Sequence, residues 1–290
     1  MKEKNFNRNE IINKAVTYIF ENLDKKLSVD ELAAYCGYSK YHLMRMFREV
    51  TGEPMYRFIK RIRLERSAWR LKVEKGKSVT EIGQDYGYSS SNFASAFKNH
   101  LAYSPEDFRR HSLELVSDER EFQGLSAKDI EEHEKNITVE ELPDYFVIYE
   151  RIRGSYRDMG KEWERFAEKY RHLSADDTLY IECTIDDPSI TDEDKCLYEL
   201  CQTISPEHPA VKNNVTGSDS SLLTRCFEGG KYAVYHFKGF PHLMPLIYQE
   251  VFSRWLSRTN NQLDERPVFD VYRATRDDRY MEIDICFPLK

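Results

Sequence analysis

Lys40, Tyr41, His42, Met44, Arg45 and Arg48 crowd into the stretch SKYHLMRMFREVTG, and helical spacing gives them a common side. Tyr41, Met44 and Arg45 fall one helical turn apart, opposite the apolar Leu43 and Phe47. A guanidinium at Arg45 can take guanine O6 and N7 together, while Tyr41 and Met44 suit apolar contact with a thymine methyl. Lys40, His42 and Arg48 flank that row, where such groups meet phosphate oxygens and position without specifying. A second, poorer set is Ser90, Ser91, Asn92, Ser95 and Lys98, fit to hold a nucleic-acid backbone or to read bases through water. Near the C-terminus, Glu282 and Asp284 point to one side of a strand and Ile283 and Ile285 to the other. A carboxylate on a sheet face rich in aromatics is costly unless solvated or paired.

The first two sets are positioned by the same device, written twice. Shifted by 50 positions, Val29 meets Val79, Glu31 meets Glu81, Gly37-Tyr38-Ser39 meets Gly87-Tyr88-Ser89, and Phe47 meets Phe97, with no insertion or deletion. Each copy reads as a helix, a tight turn at Gly-Tyr-Ser and a second amphipathic helix. In the first copy Ala33 lets the helices approach, Gly37 supplies the turn backbone, and Leu43 fills the angle between them; Gly83, Gly87 and Phe93 repeat the pattern. That is the signature of a helix-turn-helix. The recognition helices are expected at about 40–50 and 90–100, joined by a long helix at about 55–73 that carries Arg57, Lys60, Arg61, Arg63, Arg66 and Arg70 on its polar side. Ser28 is expected to cap the helix before the first turn, with Glu31 completing a capping box. A helix over 9–23 covers the first motif, and Pro105 opens a last helix to about 115.

Residues 9–111 resemble the DNA-binding domain of AraC/XylS-family transcription regulators, on the stretches GYSKYHLMRMFREVTG and GYSSSNFASAFKNHLAYSPEDFRR. The resemblance implies double-stranded promoter DNA as partner, bound by one chain on an asymmetric site, with RNA polymerase contact and activation. Many members carry Arg where Ser95 stands, so the first motif is expected to specify and the second mostly to anchor.

Bulk properties agree with this division. The 290 residues suggest two domains, and 40% hydrophobic with 13% aromatic content suffices for packed cores. Residues 1–112 hold 21 Lys+Arg against 14 Asp+Glu, and the rest hold 22 against 36, so only the first part suits a polyanion. No apolar run reaches the length of a membrane span and MKEKNFNRNE has no signal-peptide core, which points to the cytoplasm. Cysteines 36, 183, 196, 201, 226 and 286 form no C-x-x-C pair and no zinc pattern, so reduced buried thiols are expected, with no metal and no cofactor.

The expected fold is therefore multi-domain: an all-α domain over 1–115 with two helix-turn-helix motifs, a charged linker over 116–136, and an α+β domain over 137–290. In the last, strands 137–142 and 146–152 read as a hairpin around Pro143-Asp144, followed by a helix at 158–172 and strands at 178–185 and 196–204. The plan recurs with strands 222–227 and 231–238, a helix at 242–258, and strands 268–274 and 280–287. Two β-β-α-β-β units in tandem suggest a pseudo-twofold domain with a seam between its halves.

This half resembles the GyrI-like small-molecule-binding domain on VEELPDYFVIYERIRGSY, YIECTIDDPSITDEDKCLYELC, FEGGKYAVYHFKG and DICFPLK. The resemblance implies a small-molecule effector, lipophilic or cationic, met by an acid shortly before the final Pro; Asp284 matches best and Glu282 second. Tyr149, Trp163, Phe166, Tyr180, Tyr232 and Tyr235 are the expected wall residues. Some GyrI-like domains resemble hydrolases of electrophilic small molecules, a pairing Glu282 with Tyr149 or Tyr180 could imitate, and others bind proteins such as gyrase. No nucleophile–base constellation stands out in this chain, so no catalytic residue is assigned.

Overall fold

The computed structural model describes residues 2–25, 27–116, 127–187, 190–215, 222–244, 247–275 and 280–290. The chain divides into two compact units, Met1–Val116 and Ser117–Lys290.

The first unit is helical: α1 (Lys2–Glu21), α2 (Val29–Cys36), α3 (Lys40–Thr51), α4 (Met55–Val73), α5 (Val79–Asp85), α6 (Ser90–Leu101) and α7 (Pro105–Val116). Both corner glycines take the left-handed backbone that a side chain disfavours, Gly37 at φ 75° and Gly87 at φ 78°. The reciprocal capping box forms at Ser78 and Glu81. At Ser28, where the sequence predicts one, the hydroxyl takes the Asp30 and Glu31 N–H groups.

The helix α4 corrects the expectation of a basic polar side. Arg61 and Arg70 are buried. Arg61 pairs with Glu53 at 2.7 Å and Glu65 at 2.9 Å, and Arg70 pairs with Glu74. Arg63 Nε donates to the carbonyl of Leu23 at 2.9 Å. Two of these pairs, Arg61–Glu65 and Arg70–Glu74, lie four residues apart along α4 and its C-cap. Glu53 and Leu23 tie the helix to the loops before α4 and after α1. The buried cations are matched by acids because an unpaired one would carry its full desolvation cost.

The two inter-helix wedges differ in a compensating way. In the first motif Ala33 and Leu43 are buried together; in the second a Cβ added to Gly83 would lie 2.7 Å from Phe93 Cγ. Gly83→Ala is therefore expected to destabilise this unit, because overpacking of about 1–3 kcal/mol exceeds the ~1 kcal/mol helix-propensity gain. Adding Phe93→Leu, which recreates the first motif's pairing, should recover stability. Thermal unfolding of the single and double variants checks this, and a neutral or stabilised Gly83→Ala would refute it.

The second unit begins with α8 (Ala127–Glu134), within the stretch expected as linker; positions 117–126 of that stretch lie outside the described residues. The sheet comes next: β1 (Ile137–Leu142), β2 (Tyr145–Arg153), α9 (Met159–Tyr170), β3 (Tyr180–Thr184), β4 (Leu197–Thr203), α10 (Pro209–Val215), β5 (Leu223–Phe227), β6 (Gly230–Gly239), a π-helical turn (Ile247–Val251) running into α11 (Phe252–Arg258), β7 (Phe269–Thr275) and β8 (Met281–Pro288). The two β-β-α-β-β halves are present. Among the described residues of the helix expected over 242–258 are a 3-10 turn at Pro241–Leu243, the π-turn and a short α-helix.

The antiparallel sheet has the order β1-β6-β8-β7-β3-β4-β2-β5, which overturns the expected β1–β2 hairpin. β1 pairs with β6, from Ile137–Tyr235 to Leu142–Gly230, and β2 continues the same register with β5, from Tyr145–Phe227 to Tyr149–Leu223. Pro143-Asp144 makes no tight reversal because a two-residue hairpin needs positive φ, and neither residue has it. The chain instead runs straight on opposite Glu228-Gly229, where Gly229 N donates to Asp144 Oδ1 at 2.7 Å. One long ribbon thus joins the two ends of the strand order and curls the sheet. Phe227, Tyr232 and Tyr145, from strands far apart in that order, converge on Phe269 at 5.0, 5.4 and 5.9 Å between ring centroids. Around Phe269 the inner face of the curl is buried by the sheet itself, while His236, Lys238 and Arg273 of the same face are exposed; α9 packs on the outer face through Phe166.

Candidate nucleic-acid interface and effector site

Lys40, Tyr41, His42, Met44, Arg45 and Arg48 all stand exposed on α3, with Leu43, Met46 and Phe47 buried beneath them. Tyr41, at 83% exposure, is the most open large apolar side chain of the described residues. Arg45 is 3.9 Å from Glu49, which also meets Arg8 at 3.2 Å; Lys40 reaches Asp30 at 3.0 Å. These pairs are solvent-exposed and do little to fix the side chains in place. Ser90, Ser91, Asn92, Ser95 and Lys98 are likewise exposed on α6 over buried Phe93 and Phe97. Both recognition helices therefore present the side that the sequence assigns. α4 between them has 19 residues, about 28 Å of helix, against the roughly 34 Å separating successive major-groove faces.

In the second unit the sequence-predicted residues divide between the two faces of the sheet. Trp163 and Phe166 on α9 share the outer face with Tyr180 and Tyr235. Trp163 lies 6.0 Å from Tyr180 and 5.7 Å from Phe166. Tyr149, Tyr232, Glu282 and Asp284 sit on the other face, by the strand register. Asp284 is not beside Trp163; it bonds His236 Nδ1 at 2.8 Å and Arg273 Nε at 2.7 Å. Glu282 pairs with Lys238 at 2.8 Å. Tyr149 and Tyr232 are buried, the latter donating to the carbonyl of Glu228 at 2.9 Å. Tyr235 is buried beneath α8, its hydroxyl 2.6 Å from His133 Nδ1.

What the outer face places beside Trp163 is a pair of acids not singled out in the sequence. Glu182 and Asp270 are directly opposed across β3 and β7, the strands that join the two halves. They are 4% and 3% exposed. Tyr272 donates to Glu182 Oε2 at 2.6 Å, Thr184 to Oε1 at 3.2 Å, and Tyr248 to Asp270 Oδ1 at 2.7 Å. The Trp163 N–H faces the same Glu182 carboxylate without closing a full hydrogen bond. Among the described residues no Lys, Arg or His pairs with either acid. Burial accordingly raises the Glu182 carboxyl above its ordinary value, its hydroxyl donors only partly opposing this. Burial, and then the neighbouring Glu182, raise Asp270 well above its own. Half-buried Trp163, Tyr180, Tyr272, Tyr248 and Met159 surround the pair. The signal in the sequence was an acid inside an apolar run of a central strand, YIECT and VFDVY.

The inner face treats its buried acid differently. Glu199, on β4, receives Arg151 on one carboxylate oxygen and Arg225 on the other. Burial opposes its charge, but the two guanidiniums hold it below the ordinary value.

Known proteins resemble the chain along the same division. Residues 23–111 match the helix-turn-helix domain family, and residues 135–290 match the GyrI-like small molecule binding domain. The right origin-binding protein of Escherichia coli K12 is 38% identical over 101 residues, 34% of this chain but only 35% of that protein. The regulatory protein SoxS of Salmonella typhimurium is 34% identical over 101 residues, 34% of this chain and 94% of SoxS. The transcriptional activator AarP of Providencia stuartii is 35% identical over 103 residues, 35% of this chain and 76% of AarP. Among the described residues no helix is long and apolar enough to cross a membrane. An exposed polar row on each of two recognition helices, joined in one chain to a matched small-molecule-binding unit, places the chain among the AraC-type helix-turn-helix transcription regulators that carry a C-terminal GyrI-like domain.

Proposed function

We propose that the chain is a ligand-responsive transcription activator that binds promoter DNA as a monomer and senses a lipophilic monocation. The buried Glu182–Asp270 pair carries the sensor reading. Two opposed carboxylates, buried and without a basic partner among the described residues, leave an uncompensated negative site rimmed by aromatic rings. Like charges so placed do not ionise together. Glu182, with hydroxyl donors from both Tyr272 and Thr184, takes the charge, and Asp270 keeps the proton. A ligand with one positive charge and a large apolar body satisfies Glu182 and gains cation–π contact with Trp163 or Tyr272, about 0.5–2 kcal/mol each. Calorimetry with tetraphenylphosphonium and a neutral tetraaryl analogue tests this; equal affinities would remove the carboxylates from recognition.

On DNA, Arg45 with Tyr41 and Met44 reads bases, Lys40, His42 and Arg48 meet phosphates, and Ser90, Ser91, Asn92, Ser95 and Lys98 anchor the second groove. Arg45→Ala is expected to relax one base position and to cost about 1–3 kcal/mol there. Equal loss on specific and random DNA would reassign Arg45 to phosphate. Two motifs in one chain support monomeric binding, and two chains sedimenting on the shortest competent fragment would overturn it. The activator reading rests on the likeness to AarP, named a transcriptional activator, and contact with RNA polymerase is proposed along with it.

A further inference from the structure

The acid pair is tied to a backbone irregularity. Tyr248, which bonds Asp270, belongs to the π-helical turn Ile247–Val251, and the next residue, Phe252, stacks on Phe287 of β8 at 3.6 Å. A π-turn holds one residue more per hydrogen-bonded loop than an α-helix, so it can relax to α geometry by shifting the residues C-terminal to it. α8 packs against this same turn. His133 on α8 bonds Tyr235, and Glu134 forms an ion pair with Arg254 at 3.2 Å and accepts from Arg258 at 3.0 Å, both on α11. These last contacts are partly exposed ion pairs, of the kind that solvent weakens. The docking of α8 is thus built from contacts that a small shift of the turn can break.

We propose that the π-helical turn couples occupancy of the Glu182–Asp270 site to the docking of α8, the segment by which the chain enters the second unit. This rests on the effector reading above. A cation beside Glu182 changes the charge balance across the pair and with it the Tyr248–Asp270 bond. The turn carries that change to α8 directly, with no intervening element. The π and α forms of one turn supply the discrete two-state element that such coupling requires.

The test uses the full-length chain, hydrogen exchange at the amides of 127–134, and tetraphenylphosphonium at concentrations that saturate each variant, with binding read separately by calorimetry. Bound cation should change α8 exchange at least severalfold. In Tyr248→Phe, α8 should exchange severalfold faster than wild type without any ligand, and the response to ligand should vanish. By reciprocity, Glu134→Gln on α8 should shift the dissociation constant for tetraphenylphosphonium severalfold. Binding with unchanged α8 exchange, or an unshifted constant in Glu134→Gln, would overturn the coupling and leave the effector reading intact. No binding to wild type would remove the effector reading instead, and unliganded Tyr248→Phe would still decide the coupling, since unchanged exchange there refutes it.

Discussion

Replacing Glu199 by Gln should lower the stability of the sheet unit by about 3–5 kcal/mol, the cost of removing one partner from a buried ion cluster. Glu199 is 0% exposed, and each of its oxygens takes a guanidinium, Arg151 and Arg225. Gln leaves two cations facing one amide inside the curl. The carboxyl is held below its ordinary value of 4.5, so its contribution is present above that value and lost as pH falls through the lowered one. The gap between wild type and Glu199→Gln should therefore narrow below about pH 4.5. Scanning calorimetry of the full chain measures it. Replacing all three residues by apolar ones of similar volume should recover most of the loss. A loss under about 1 kcal/mol for Glu199→Gln would show that the cluster is not held as a unit.

Glu182→Gln should do the reverse to stability and much more to binding. It sits one strand away on the opposite face, buried with hydroxyl donors but no cation. Removing a buried charge partner costs a ligand cation about 2–5 kcal/mol, a loss of roughly 30-fold or more in affinity. The unliganded fold should become more stable near neutral pH. Here the sign is that of an acid raised above its ordinary 4.5: its contribution is full below that value and is lost as pH rises through the raised one. Gln does not titrate, so the stability gap between variant and wild type should open as pH rises. Asp270→Asn is the contrast, since a protonated acid and an amide are alike in charge. It should keep the preference for monocations that Glu182→Gln loses. Equal losses in the two variants would mean that both acids are charged in the empty site.

Much of the chain was legible because local rules decide it. The offset of 50 residues, the corner glycines at 37 and 87 and the apolar wedges determine both helix-turn-helix motifs. Once Leu43, Phe47, Phe93 and Phe97 are inside, helical geometry leaves Tyr41, Met44, Arg45 and the Ser90–Lys98 row no place but the surface. Strand alternation likewise separated Glu282 and Asp284 from Ile283 and Ile285 before any fold was in hand. Alternation does not say which face the helices cover. That depends on the β3–β7 junction and on the β1–β2 ribbon crossing to β6 and β5, pairings between residues 74 to 98 positions apart. The β3–β7 pairing puts Glu182 and Asp270 face to face beneath Trp163, while the β6–β8 and β7–β8 pairings put Asp284 with His236 and Arg273. The same alternation gives Glu182 and Glu199 no distinguishing mark in the sequence. Only tertiary structure decides that one buried glutamate meets two arginines and the other meets none, because a buried charge is settled by what the fold brings within a few ångströms of it.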